Sequence, residues 1–369
     1  MAIVDFITTG LGLVRSEKDI TPVWIQGLLR ASGDLEEGVT VTGVSTERIG
    51  EGVGILSVLQ RITPQYSGPT GAPESLVVKY PTEDPTQRFT ADALALYVRE
   101  IEFYKQVAPV SPMRNARCFG ASMDTDSTDF TVVMEDIGSY RALNQLEGVS
   151  LAEAKTILTA IADFHAHWWD DPRLVDLEAW FAPISNPVFH AALPAMWDGG
   201  WPFVLQHAGD RLNDLHREIG AQWSSRIGWM LEEVMTPKTL LHGDFRADNI
   251  FFDRNTPVLL DFQICGTGTS VYDVAYFVSQ SLDTDVRRGH DRELFDHYVD
   301  RLVEKGVTID REEAWRQYKI AVVMCVTYGV TTFPGFEAQN ERGQDLLRGM
   351  LMRALHAVED IDAWSSVKA

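Results

Sequence analysis

The segment Leu241-His242-Gly243-Asp244-Phe245-Arg246-Ala247-Asp248-Asn249, followed by Leu260-Asp261-Phe262-Gln263, decides how this chain is read. Asn249 falls five residues after Asp244, and Asp261 falls twelve after Asn249, at the end of an apolar run. Gly-Asp and Asp-Asn pairs are ordinary turn residues taken singly, but the whole constellation is far more specific. Phosphoryl transfer leaves a protein little covalent chemistry. It needs a carboxylate to receive the hydroxyl proton and oxygen ligands for magnesium. A loop presenting Asp244 with Asn249 behind it can serve both sides of one reacting phosphate. Asp261 would add the hard, anionic oxygen that magnesium favours.

Outward from this segment, Thr239 to Asp261 reads as a cluster of short strands, and helices resume from Val271 to the C-terminus. Upstream, Leu151 to Trp169 reads as a helix, with Ser150 as its cap and Glu153 completing a capping box. Long helical stretches then run to Met235. The first third differs. Thr21 and Pro22 start a helix that Gly33 ends. Strand-like runs follow at Val39 to Val44, Val53 to Ile62, Ser75 to Tyr80 and Asp129 to Met134, with a proline- and glycine-rich loop at Pro64 to Pro73 and a helix at Gln87 to Val107. The order predicts a two-lobed α+β chain, with a strand-rich lobe over 1–136 and a mostly helical lobe over 137–369.

Composition narrows the classes. At 369 residues and 45% hydrophobic, the chain can bury a substantial core. A formal charge of −21, from 53 acidic against 32 basic residues, repels nucleic-acid phosphates, so no nucleic-acid partner is expected. No apolar run reaches 18 residues, and Met1 to Leu13 lacks a basic start, so neither a membrane span nor a secretory signal is expected. Cys118, Cys265 and Cys325 are widely spaced and read as small buried thiols in a reducing cytosol. A cytoplasmic location is the expectation.

HGDFRADN with LDFQ resembles the aminoglycoside phosphotransferase and choline kinase superfamily, which shares the protein-kinase-like fold. LDFQ followed by Asp273-Val274-Ala275-Tyr276-Phe277, with Phe164-His165-Ala166 upstream, is most similar to the ecdysteroid-kinase-like and related bacterial phosphotransferases. The likeness runs from about Gly43 to Leu282. It implies an enzyme using ATP and magnesium to phosphorylate a hydroxyl of a small molecule. It implies Asp244 as catalytic base, Asn249 and Asp261 as magnesium ligands, His242 as a support of the loop and Asp273 as its anchor at a helix start.

The resemblance also calls for a phosphate-gripping lysine in the first lobe. Lys79 ends the run Leu-Val-Val-Lys, which would set an ammonium at the edge of a small sheet. In Tyr97-Val98-Arg99-Glu100-Ile101-Glu102-Phe103-Tyr104, Glu100 is the expected ion-pair partner and Glu102 the reserve. Gly50, Gly52 and Gly54 precede the lysine strand and fit a nucleotide lid whose backbone approaches phosphate, although a hairpin turn would use glycine equally well. Glu135 and Ile137, in Met134-Glu135-Asp136-Ile137, fall where the family's hinge pairs its backbone with adenine.

Other features carry weaker readings. His165 and His167 are two apart and point away from each other on a helix, so His165 is expected in the core rather than on a metal. Seven of the ten tryptophans lie between Trp168 and Trp229. They read as packing, or as an aromatic acceptor pocket. Asp170, Asp171, Asp176, Glu178 and Asp198 in the same stretch could instead receive a cationic substrate, so the acceptor stays open. A nucleotide-binding pseudokinase is the main alternative, opposed by the presence of Lys79, Asp244, Asn249 and Asp261 together. A protein kinase is less favoured, because only eleven residues separate Asp261 from Asp273, too few for a long activation segment.

Overall fold

The computed structural model describes residues 3–5, 12–50, 57–93, 95–124 and 127–367. The chain forms two compact units, Met1–Arg141 with Val258–Gln263, and Ala142–Pro257 with Ile264–Ala369.

The first unit is built on strands β1 (Ile3–Asp5), β2 (Val41–Ile49), β3 (Ser57–Tyr66), β4 (Leu76–Pro81), β5 (Cys118–Asp124) and β6 (Phe130–Glu135), with helices α1 (Pro22–Ala31), α2 (Pro85–Ala93) and α3 (Leu96–Glu102). The strands make one sheet in the order β1-β5-β6-β4-β3-β2, every pair antiparallel. The Thr21 hydroxyl accepts the Trp24 amide at 3.2 Å and starts α1, while Gly33 just beyond its end takes a positive φ. Ile25, Leu28 and Leu29 of α1 pack with Val58, Ile62, Leu76, Val78 and Val133 of the sheet.

Burial alternates along β3, where Val58, Gln60 and Ile62 are buried, as one covered face requires. All six residues of β4 are buried, and the strand is paired on both sides, by β3 and β6. Lys79 therefore lies on an interior strand and not at the edge of a sheet.

Three further sequence expectations are corrected. The proline-rich loop starts later than Pro64, because β3 continues to Tyr66. Pairing of β3 with β4 ends at Ile62, so the missing amide of Pro64 breaks no ladder on that side. The expected helix over 87–107 is divided: Ala95 has φ +54 and separates α2 from α3, and Phe103–Val107 closes as a π-type turn. Strands β1 and β5 were not anticipated. In β5, small residues and Gly120 blur the alternation, and pairing with β1 and β6 holds it instead.

The chain crosses between units at β7 (Arg141–Ala142), within β10 (Thr256–Leu259) and again between Gln263 and Ile264. The second unit contains β8 (Thr239–Leu241), β9 (Ile250–Asp253) and β11 (Gly266–Gly268), and helices α4 (Leu151–His167), α5 (Leu174–Leu177), α6 (Pro187–Ala208), α7 (Asp214–Glu233), α8 (Val271–Ser281), α9 (Thr284–Arg287), α10 (Asp291–Glu304), α11 (Arg311–Thr332) and α12 (Glu341–Asp360). The capping box at α4 forms: Ser150 Oγ accepts the Glu153 amide, and Glu153 accepts the Ser150 amide at 3.0 Å. Every residue of α8 is buried, and α11 packs along it. By length and composition Arg311–Ala338 could cross a membrane, but 67% of its apolar window is buried inside the fold, as in a core helix.

Three of the clustered indoles pack inside this unit. Trp197 stacks on Trp223 at 4.1 Å and on Trp201 at 5.8 Å. The Trp197 and Trp223 ring N–H groups donate to the Gly220 and Val323 carbonyls, each at 3.0 Å. A Cβ at Gly220 would lie 1.9 Å from the Trp201 ring, so glycine is required there. For these three rings the packing reading prevails.

Candidate functional site

In the first unit, Lys79 and Glu100 meet in the interior. The Lys79 Nζ lies 2.7 Å from Glu100 Oε2, with side chains 8% and 1% exposed. Glu100 also accepts from Gln263 Nε2 at 3.0 Å. Asp261 Oδ1 approaches the same ammonium at 3.5 Å and remains 39% exposed. Phe262 fixes this segment, stacking on Phe103 with centroids 3.5 Å apart. The backbone of Leu259 also donates to the Arg114 carbonyl at 3.0 Å. Asp261 itself has φ +65, an uncommon conformation for a residue with a side chain. Burial pushes the Glu100 carboxyl up and would pull the ammonium down. The Asp261 and Glu100 charges outweigh that and hold Lys79 above its ordinary value. The reserve candidate Glu102 instead bonds Lys105, at 3.4 Å, and Gln106.

One ammonium between two carboxylates leaves an excess of negative charge facing outward through Asp261. Hard oxygens of that kind suit magnesium, and a lysine suits phosphate as a point charge.

The remaining first-unit candidates are less informative. Gly50 has φ +71, as a turn needs; Gly52 and Gly54 lie outside the described residues. At the expected hinge, the Glu135 amide donates to the Arg117 carbonyl at 2.8 Å, and the Ile137 carbonyl accepts the Tyr140 amide at 2.9 Å. The Glu135 carboxylate accepts from Arg114 at 2.7 Å and from the Tyr140 hydroxyl at 2.9 Å. These contacts pull it below the ordinary carboxylate range although burial pushes it up. Glu135 thus serves its own lobe.

In the second unit, the His242–Asn249 loop is held at both ends. Asp273, fully buried in the first turn of α8, accepts the His242 amide at 2.7 Å and the Gly243 amide at 2.9 Å. His165 Nε2 adds a contact to Asp273 at 3.1 Å, and its Nδ1 meets the Tyr298 hydroxyl at 2.8 Å. The far end is held by buried Gln145, whose side-chain oxygen accepts the Ala247 amide and whose own amide donates to Asp248, both at 2.9 Å. Gly243 has φ +83, and a Cβ there would lie 2.2 Å from the Ile264 carbonyl oxygen. Only glycine fits.

The loop presents Asp244 to three donors. Asn249 Nδ2 donates to its Oδ2 at 2.8 Å, Tyr276 to its Oδ1 at 3.0 Å, and Arg246 Nε to both oxygens at 3.2 and 3.4 Å. Burial pushes the carboxyl up, but the Arg246 charge and these hydrogen bonds keep it below its ordinary value. Tyr276 moves the other way, pushed well up by burial and by the neighbouring Asp244 charge. Asn249 Nδ2 also donates to the Asp244 carbonyl at 2.9 Å, which leaves its Oδ1 without a hydrogen bond among the described residues. That oxygen fits a magnesium ligand.

Sequence reasoning missed several participants. Tyr328 stacks on Tyr276 at 4.1 Å and donates to the Gly243 carbonyl at 2.8 Å, although it lies on α11, far along the chain. Arg246, Gln145 and Gln263 were inside or near quoted motifs, but nothing in their spacing showed what they bond. The acidic residues considered for a cationic acceptor are engaged locally in part: Asp171 pairs with Arg173 at 2.8 Å, Glu178 with Lys238 at 2.7 Å, and Asp170 accepts the Lys238 amide at 3.0 Å. Among the described residues, no group of three His, Cys, Asp or Glu side chains could hold a metal on its own.

Comparison with known proteins adds a family. The model of the phosphotransferase enzyme family matches residues 76–315. Solved structures with a similar fold include the choline kinase of Cryptosporidium parvum Iowa II, at TM-score 0.58 and 10% identity, covering 91% of this chain and 95% of that one. The ethanolamine kinase of Plasmodium vivax aligns at TM-score 0.53 and 14% identity, covering 97% and 92%. The aminoglycoside phosphotransferase APH(2'')-IIIa, in complex with GDP and kanamycin, aligns at TM-score 0.52 and 15% identity, covering 88% and 94%. At such identities the likeness is one of fold. A comparison with curated protein sequences gives no match.

Proposed function

Because the chain belongs to the phosphotransferase enzyme family, and so is a small-molecule kinase, we propose that it transfers the terminal phosphoryl group of ATP, with magnesium, to a hydroxyl of a small molecule. The observation that carries this reading is the buried Lys79 ammonium, 2.7 Å from Glu100, with Asp261 beside it. A lysine so oriented neutralises the phosphates that are not transferred. Asn249 and Asp261 would hold magnesium, which supplies charge neutralisation at the β- and γ-phosphates when bound.

Asp244 receives the proton of the attacking hydroxyl. Its loop is clamped by Asp273 and Gln145, so the carboxylate is positioned before the acceptor arrives. Such positioning is the larger part of what a phosphotransferase contributes. GTP is the second nucleotide candidate, since a similar fold binds GDP.

The test is to incubate the protein with ATP and magnesium and either a library of hydroxylated small molecules or a casein-type protein. Phosphate is expected on a small molecule. Phosphate on protein alone, or nucleotide binding without any transfer, would overturn the reading.

A further inference from the structure

On the face of the first unit's sheet that α1 covers, Val58 and Ile62 of β3 and Leu76 and Val78 of β4 build the core. Strand alternation puts two polar side chains, Gln60 and Tyr80, on that same face. They are only 4% and 5% exposed. The Gln60 amide and the Tyr80 hydroxyl make no hydrogen bond to a described residue. Neither is among the buried polar atoms closed off from solvent, and both line one cavity of about 540 Å³. The register sets them side by side. Gln60 faces Arg48 of β2 on one flank and Val78 of β4 on the other, and Tyr80 follows Val78 on the same face. An unpaired buried polar group costs about 1–3 kcal/mol, and leucine or phenylalanine would fill the same space without that cost. Packing alone does not account for the pair.

We propose that this cavity is a second binding site, for a small neutral cyclic amide such as a nucleobase. The chemistry of its lining selects that class. The charged residues, Lys18 and Arg48 against Glu17 and Glu83, balance one another and are all exposed. The buried end holds no ion, so a charged ligand would lose its hydration there without gaining a partner. Ile20 and Val44 supply apolar wall for a ring. The Gln60 carboxamide presents N–H and C=O side by side in one plane, and a cyclic amide offers the matching C=O and N–H. The Tyr80 hydroxyl bonds a further polar atom of the same ring. The volume falls in the range of small-molecule sites. Lys79 and Tyr80 are neighbours on β4 and point to opposite faces, so this site is separate from the one around Lys79 and Asp261.

The test is titration calorimetry of the full chain with uracil and with hypoxanthine. Glucose and uracil methylated at both ring nitrogens serve as comparison probes. Wild type is expected to bind at least one of the two cyclic amides with a Kd below about 1 mM. It should bind glucose and the methylated uracil at least about tenfold more weakly, because neither offers the paired edge. Gln60→Leu should weaken binding about 10- to 100-fold and Tyr80→Phe about 3- to 10-fold, while each melts within about 2 °C of wild type or higher. Absence of binding by wild type, binding that survives Gln60→Leu, or equal binding of either comparison probe overturns the inference. So does a Gln60→Leu variant that melts several degrees lower, because the amide would then be bonded within the fold. These outcomes leave the phosphotransferase reading untouched, since that is judged by transfer from ATP.

Discussion

Replacing Asp273 by Asn removes one charge and almost no volume from the centre of the second unit. Asp273 accepts three contacts: the His242 amide at 2.7 Å, the Gly243 amide at 2.9 Å and His165 Nε2 at 3.1 Å. An asparagine oxygen in the place of Oδ2 can still accept from the His242 amide and from His165, but its NH₂ group then faces the Gly243 amide, another donor, at close range. One charge-assisted hydrogen bond is lost at about 1.5–3 kcal/mol and the two that remain are weakened by about 1 kcal/mol each as the charge goes, so the cost is roughly 3–5 kcal/mol. Ordinary domains are stable by about 5–15 kcal/mol, so the variant should fold but melt about 10 °C lower. Turnover should fall as well, because the freed backbone carries Asp244. The assay is calorimetric melting together with initial rates on the same preparation. Asp285→Asn, at a side chain 91% exposed, is the control and should stay within about 0.5 kcal/mol of wild type. Melting of Asp273→Asn within about 2 °C of wild type, with turnover unchanged, would refute the clamp.

Lys79→Met leaves the buried Glu100 facing no cation, so it should cost roughly 3–5 kcal/mol in urea unfolding and weaken ATP binding in calorimetry. Gly243→Ala forces a Cβ to 2.2 Å from a backbone carbonyl, so turnover should collapse and melting should drop, both read against wild type. Acid should loosen the first unit through Asp129, which Arg15, at 2.5 Å, and Arg88 hold below its ordinary value of 3.8 against the upward push of burial. The folded form releases the proton more readily than the unfolded chain. This contribution is therefore complete above the unfolded pKa near 4 and is lost as pH falls through the lower folded value. Urea midpoints between pH 6 and pH 3 should fall less for Asp129→Asn than for wild type.

What was legible in the sequence was local. Ser150 and Glu153 meet across three residues of one helix, and their capping box forms. Asp244 and Asn249 lie on one short loop, and their side chains meet at 2.8 Å. Lys79 and Glu100 are joined by a strand-to-helix connection, and they pair. What was not legible depends on pairing across long stretches of chain. Tyr328 reaches Gly243 from α11, and Gln145 reaches Ala247 from ahead of α4, and no periodicity or spacing encodes either contact. Strand β5 is specified by its neighbours more than by its own residues. Trp197, Trp201 and Trp223 are packed together by contacts such as the room Gly220 makes for Trp201, which spacing along the chain does not encode.

The most direct measurement is single-turnover transfer from γ-labelled ATP to an accepted alcohol, comparing wild type with Asp244→Asn at saturating nucleotide. The account predicts a rate at least about 10²- to 10³-fold lower in the variant, with ATP affinity unchanged, because Asp244 handles the proton and not the triphosphate. Label appearing on the alcohol at the wild-type rate in Asp244→Asn would contradict it.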